Sequence, residues 1–215
     1  MASGLSPESF TDPAAHRLAE AVMRDDLGAA LDAARSAPGG IDSPGREGET
    51  VLLLAVARRS AATAAALLRH GANPNGGPGK APLPIAVMNR DLDLARRLLD
   101  AGADPDGRFG KETALYEAAL VGSIPAAELL LGYRASPDLA TPRGETPLLC
   151  AAGADHWRMA AWLLRHGASP RLVDRHDFSL AGFAARSRVL PDSDEGPALA
   201  EVIGVLRATG LWPAP

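Results

Sequence analysis

Apolar positions recur along this chain in short blocks at helical spacing, separated by turns rich in Gly, Pro, Asp and Asn. Leu18, Ala21 and Val22 share one helical face, and Leu27, Ala30, Leu31 and Ala34 share another, each at i, i+3, i+4 spacing. Asp25-Asp26 separates the two and can cap the second helix, because a short side-chain oxygen accepts from free backbone N–H groups. Pro38-Gly39-Gly40 ends that helix. Three blocks then open in the same way. Thr50-Val51-Leu52-Leu53-Leu54-Ala55 leads to Leu67-Leu68-Arg69-His70-Gly71, and Ala81-Pro82-Leu83-Pro84-Ile85-Ala86 leads to Leu98-Leu99-Asp100-Ala101-Gly102. Thr113-Ala114-Leu115-Tyr116-Glu117-Ala118 leads to Leu130-Leu131-Gly132-Tyr133-Arg134. A fourth, Thr146-Pro147-Leu148-Leu149-Cys150-Ala151-Ala152, leads to Leu163-Leu164-Arg165-His166-Gly167. Each block predicts two short helices joined by a tight turn.

The openings fall at 50, 81, 113 and 146, in steps of 31, 32 and 33 residues. The hydroxyls of Thr50, Thr113 and Thr146 sit where an N-cap is needed, and Pro82 and Pro147 fall in the first helical turn, where a missing N–H costs nothing. Gly71, Gly102 and Gly167 follow the second helices, and a left-handed residue there terminates a helix cheaply. Arg134 takes that place in the third block, which predicts a distorted or shortened helix end. A last opening, Ser179-Leu180-Ala181-Gly182-Phe183-Ala184, diverges after Arg188. A polar loop at Pro191–Pro197 precedes a final helix from Pro197 to Thr209, with Leu199, Val202, Ile203 and Leu206 on one face and Gly210 at its end.

A period of about 33 residues with a T-P-L-H-x-A-like opening is the signature of an ankyrin array. The chain resembles the ankyrin-repeat family over residues 15 to 211. The resemblance implies an all-α solenoid of stacked helix-turn-helix units with projecting loop tips. Six units are expected, an N-terminal cap at 14–44, regular repeats at 45–75, 76–106, 107–138 and 139–171, and a C-terminal cap at 172–211, flanked by a loose segment at 1–13 and a tail at 212–215. Caps are required because the end units would otherwise expose their apolar stacking faces.

Composition narrows the function. Hydrophobic content is 47% but aromatic content is 4%, so the core is built from Ala and Leu, which suits closely stacked short helices. The net charge of −4 and pI of 5.7 lack the basic balance of a nucleic-acid binder. The single cysteine, Cys150, excludes an intrachain disulfide and a CxxC zinc site. The N-terminal segment has neither a basic nor an apolar signal region, and no apolar run is long enough to span a membrane. The expected location is the cytoplasm. All but two of the 22 basic residues are arginine, the exceptions being Lys80 and Lys111, which together with the Ala, Gly and Pro content suggests a high-GC bacterial source.

No catalytic constellation is visible, and neither a cofactor nor a metal is expected. The glycine runs ending at Lys80 and Lys111 lack the first glycine and the final Ser or Thr of a phosphate loop and read as turns between repeats. Cys150 occupies the helix position of Leu54 and Ile85 and reads as a buried packing residue. His70 and His166 precede helix-ending glycines, where a His suits the helix C-terminus; His156 falls in the turn between helices, where it bonds backbone. Asp192, Asp194 and Glu195 read as a solvated loop.

The resemblance implies partner binding by the loop tips and the first helices, which together line a concave groove. Stacking between repeats also leaves these positions free to vary. The candidate tip residues are Arg46, Glu49, Lys80, Phe109 and Lys111, then Arg143, Glu145, Arg175 and Phe178. The first helices add Arg58, Met88, Asn89, Tyr116, Leu120, Val121 and Arg186. Phe109 and Phe178 either stand out at tips or fold back on their own repeats, and Tyr116 either faces the groove or bonds the neighbouring tip. This mixture of Arg, Glu and apolar groups fits a protein or peptide partner rather than a polyanion. Within that reading the resemblance allows an immunity protein, inhibitor or chaperone of a bacterial toxin or enzyme, and also a scaffold or accessory subunit joining two proteins.

Overall fold

The computed structural model describes residues 6–212 of the 215-residue chain. The remainder of the expected loose N-terminal segment and of the C-terminal tail lies outside the described residues. Twelve α-helices are present among the described residues. They fall into two compact units, residues 1–110 and 111–215.

In the first unit α1 (Pro13–Met23) and α2 (Leu27–Ser36) form the leading pair, followed by α3 (Val51–Ala57) with α4 (Ala61–Arg69) and α5 (Pro82–Met88) with α6 (Leu92–Asp100). Each pair packs on itself, and α1 packs on α3, α3 on α5 and α4 on α6. The apolar faces meet at these contacts. Leu18, Val22, Leu52, Leu53, Leu67, Leu94 and Leu98 are fully buried. Side chains also stitch neighbouring loops together. The Asp42 carboxylate accepts from Asn73 N at 2.9 Å, and the Asn75 carbonyl accepts from Asp104 N at 2.7 Å. Segment 6–12 is held down rather than loose. It contains a 3-10 turn at Pro7–Ser9, Phe10 is buried, and Arg46 N donates to Ser9 O at 2.8 Å. One aromatic side chain with an apolar seat is enough to anchor it.

The second unit holds α7 (Ala114–Leu120) with α8 (Ile124–Gly132), α9 (Pro147–Gly153) with α10 (Trp157–Arg165), and α11 (Leu180–Arg186) with α12 (Gly196–Ala208). First helices pack in sequence, α7 on α9 and α9 on α11, and α10 packs on α12. The core again consists of Leu and Ala, with Trp157 as its largest member. The indole N–H of Trp157 reaches Asp155 Oδ1 and Ser187 Oγ, both at 3.0 Å, so its polar atom is satisfied inside the core.

Helix ends follow the chemistry expected of them. Thr50, Thr113, Thr146 and Ser179 each accept from the backbone N–H three residues on, at 3.1–3.4 Å. Asp26 does the same for α2. The end of α8 differs from expectation. Arg134 adopts φ 67°, and its N–H donates to Leu131 O at 2.9 Å, as Gly71, Gly102 and Gly167 donate in the other repeats. Ala135 N reaches Leu130 O at 3.0 Å, completing the same closure. Helix α8 has nine residues, like α4, α6 and α10. The left-handed conformation is strained for arginine but reachable, and two backbone hydrogen bonds hold it.

The glycine run at Gly76–Gly79 is a turn. A Cβ at Gly77 would overlap the Gly48 carbonyl, so only glycine lets these two tips approach. The polar loop before α12 has a definite role. The Glu195 carboxylate accepts from Arg158 N at 2.6 Å, capping the N-terminus of α10, where His156 supplies no side-chain cap. Among the described residues no helix is long and apolar enough to cross a membrane, and no group of three or more His, Cys, Asp or Glu is placed to hold a metal.

Candidate functional site

In the first unit the candidate residues are spread along the tips and first helices. Arg46 and Arg58 are exposed, and Met88 stands 37% exposed at the end of α5. Lys80 is engaged locally: its ammonium lies 3.1 Å from Glu47 and 6.0 Å from the centre of the half-buried Phe109 ring. Asn89 serves the fold, donating to Val56 O and accepting from Arg59. Glu49 is buried, and its carboxylate accepts from Glu47 N at 2.9 Å, so it shapes its own tip.

The second unit gathers its candidates. Tyr116, Leu120, Glu145 and Phe178 line one concave cavity of about 330 Å³, together with Leu149, Cys150, Gly153, Ala154, Asp174, His176 and Phe183. Helices α7, α9 and α11 supply the walls and the following tips the rim. The Tyr116 hydroxyl donates to Glu145 Oε2 at 3.3 Å, so the ring lines the cavity while its polar end ties to the next tip. Phe178 leans on Phe183 with ring centres 5.7 Å apart, yet remains 38% exposed. The Arg186 guanidinium lies 4.9 Å from the Phe178 ring and 5.8 Å from that of Phe183. Asp174 is buried and organises the last tip: one carboxylate oxygen accepts from His176 N at 2.8 Å and from Phe178 N at 2.9 Å. Leu120 borders the cavity at 46% exposure. Arg143, Arg175 and Lys111 are exposed, and Val121 is half-buried, but none of these lines it.

Titration in the cavity reflects burial and nearby carboxylates. The Cys150 thiol is pushed up to about 12, first by burial, with Glu117 and Glu145 adding to the effect. Tyr116 is raised by burial and by its Cys150 and Glu145 neighbours. Glu117 is raised by burial and by Glu112. A thiol so held stays in its protonated, less reactive form at neutral pH. Cys150 is only partly enclosed and forms part of the cavity surface, where a fully buried packing residue was expected.

Phe183, Asp174 and Leu149 are site residues that repeat reading passes over. A signal for Phe183 exists. The position occupied by Leu54 and Ile85 becomes Glu117, Cys150 and Phe183 in later repeats, a change of chemistry that stacking does not require. Likewise the position held by Met88 and Leu120 becomes Gly153, which leaves the space: a Cβ there would touch the Phe183 ring at 3.4 Å.

Known proteins agree with this architecture. A family model described as ankyrin repeats (3 copies) matches residues 18–109 and 85–174. An ankyrin repeat-containing protein of Treponema pallidum (strain Nichols) is 38% identical over 72 residues. That match covers 34% of this chain and 24% of the relative. With capped helix pairs recurring through both units and the family model spanning most of the sequence, the chain belongs to the ankyrin-repeat family.

Proposed function

We propose that this protein binds a partner protein through its loop tips and first helices, with the cavity of the second unit as the anchoring point. Ankyrin repeats are generally protein–protein interaction modules and generally non-enzymatic. The observation that carries the reading is the placement of the exposed apolar side chains Leu120 and Phe178 on the border of a single cavity. Apolar and aromatic side chains grouped around a concavity are what a partner's anchor residue needs, and scattered surface apolar groups are not. Arg143 and Arg175, exposed on neighbouring tips, are suited to the polar rim.

The test is affinity capture with the native chain and with a Leu120→Ser, Phe178→Ser variant. Loss of anchoring contacts typically costs about 2 kcal/mol or more, so the retained partner should fall more than tenfold while the circular dichroism spectrum stays native. Equal retention by both chains places binding elsewhere. The finer roles, immunity protein or inhibitor of an enzyme or toxin against scaffold for two proteins, separate on the next assay. Suppression of the partner's activity in a 1:1 complex supports inhibition; simultaneous retention of two proteins supports a scaffold.

A further inference from the structure

Resting on this protein-binding reading, we propose that the cavity of the second unit receives an arginine side chain of the partner. Its lining combines the rings of Tyr116, His176, Phe178 and Phe183 with the carboxylates of Glu145 and Asp174, and it includes neither lysine nor arginine. Aromatic faces attract cations through their quadrupole, and a planar guanidinium stacks on them better than an ammonium does. The Phe178–Phe183 pair shows this affinity within the chain, since the Arg186 guanidinium already rests 4.9 Å and 5.8 Å from the two rings. Arg186 itself does not line the cavity.

Two further observations favour a charged over an apolar occupant. Glu145 is held toward the cavity by the Tyr116 hydroxyl, and covering a carboxylate with a purely apolar group removes its water without replacing it. Burial is the first cause of the upward shifts of Cys150 and Tyr116, and the Glu145 carboxylate beside these walls adds to both. A volume of about 330 Å³ lies at the small end of ligand pockets and suits one long side chain rather than a helix.

The test is an NMR titration of the full chain with N-acetyl-arginine amide, N-acetyl-lysine amide and N-acetyl-leucine amide. The arginine derivative should shift the resonances of Phe178, Phe183 and Cys150 saturably in the millimolar range. The lysine derivative should bind about threefold more weakly, as expected for a compact hydrated cation against stacked rings. The leucine derivative should shift none of these resonances. Glu145→Gln should weaken arginine binding about fivefold by removing a partly desolvated charge. Gly153→Leu, which fills the cavity and leaves every charge in place, should abolish it. The inference is overturned if leucine binds as well as arginine, if arginine shifts nothing, or if both variants bind like the native chain. Any of these results leaves the protein-binding reading intact, because capture of a partner from lysate does not depend on which side chain the cavity receives.

Discussion

Arg134 holds a conformation that its neighbours in the pattern assign to glycine. Left-handed backbone costs a non-glycine residue about 1–2 kcal/mol, and glycine gives back about 0.5–1 kcal/mol through the entropy of the unfolded chain. The net expectation for Arg134→Gly is therefore a stabilisation of about 0.5–1 kcal/mol, read as a higher urea midpoint at unchanged slope. A lower midpoint would mean that the arginine side chain contributes more than its backbone strain costs. Cys150 gives a second residue-scale prediction. At neutral pH the folded and unfolded chains both keep the thiol proton, so Cys150 adds no pH dependence to stability there. As pH rises past the ordinary thiol value of 9.0, only the unfolded chain releases the proton, and stability falls until the folded thiol titrates near 12. Accordingly, iodoacetamide at pH 8.5 should modify native Cys150 much more slowly than the same residue in urea. Equal rates would show that the cavity wall opens freely.

At the scale of elements, α10 depends on a residue far along the chain. Glu195 supplies both a hydrogen bond and a negative charge at the N-terminus of α10. Glu195→Ala should destabilise the second unit by about 0.5–2 kcal/mol, the usual range for a lost cap, measurable by thermal unfolding. An unchanged midpoint would reduce the loop to a solvated connection. This contact was hidden from sequence reading because cap and helix lie 37 residues apart. First-helix starts were legible because their caps are local: the Thr50, Thr113, Thr146 and Ser179 oxygens each reach the third N–H beyond them. The end of α8 was misread for the opposite reason. Glycine makes the left-handed turn cheap, but the turn itself is held by backbone hydrogen bonds that any residue except proline can donate. Segment 6–12 was misread because one buried Phe10 outweighs a polar, proline-containing context.

For the molecule as a whole, the repeat period revealed the architecture but not the site. Tyr116, Leu120 and Phe178 were readable as candidates because they depart from their counterparts in other repeats at positions stacking leaves free, whereas Glu145, which recurs as Glu49 and Glu112, was readable only by its place at a tip. Their convergence was not readable, since Phe183, Asp174 and Gly153 come from three separate segments and shape the cavity by packing. Asn89 stood out equally well and Glu49 lay equally at a tip, yet both are engaged in hydrogen bonds within the fold. A departure from a repeat consensus therefore marks a position where something is contacted, and only the structure tells whether that something is internal. The most direct measurement is photo-crosslinking in native lysate with p-benzoylphenylalanine placed at position 178, on the cavity border, and separately at the exposed Glu128 of α8. Binding through the tips and first helices predicts a discrete protein adduct from position 178 and none from position 128. Adducts from position 128 with none from position 178 would contradict it and move the partner to the second helices.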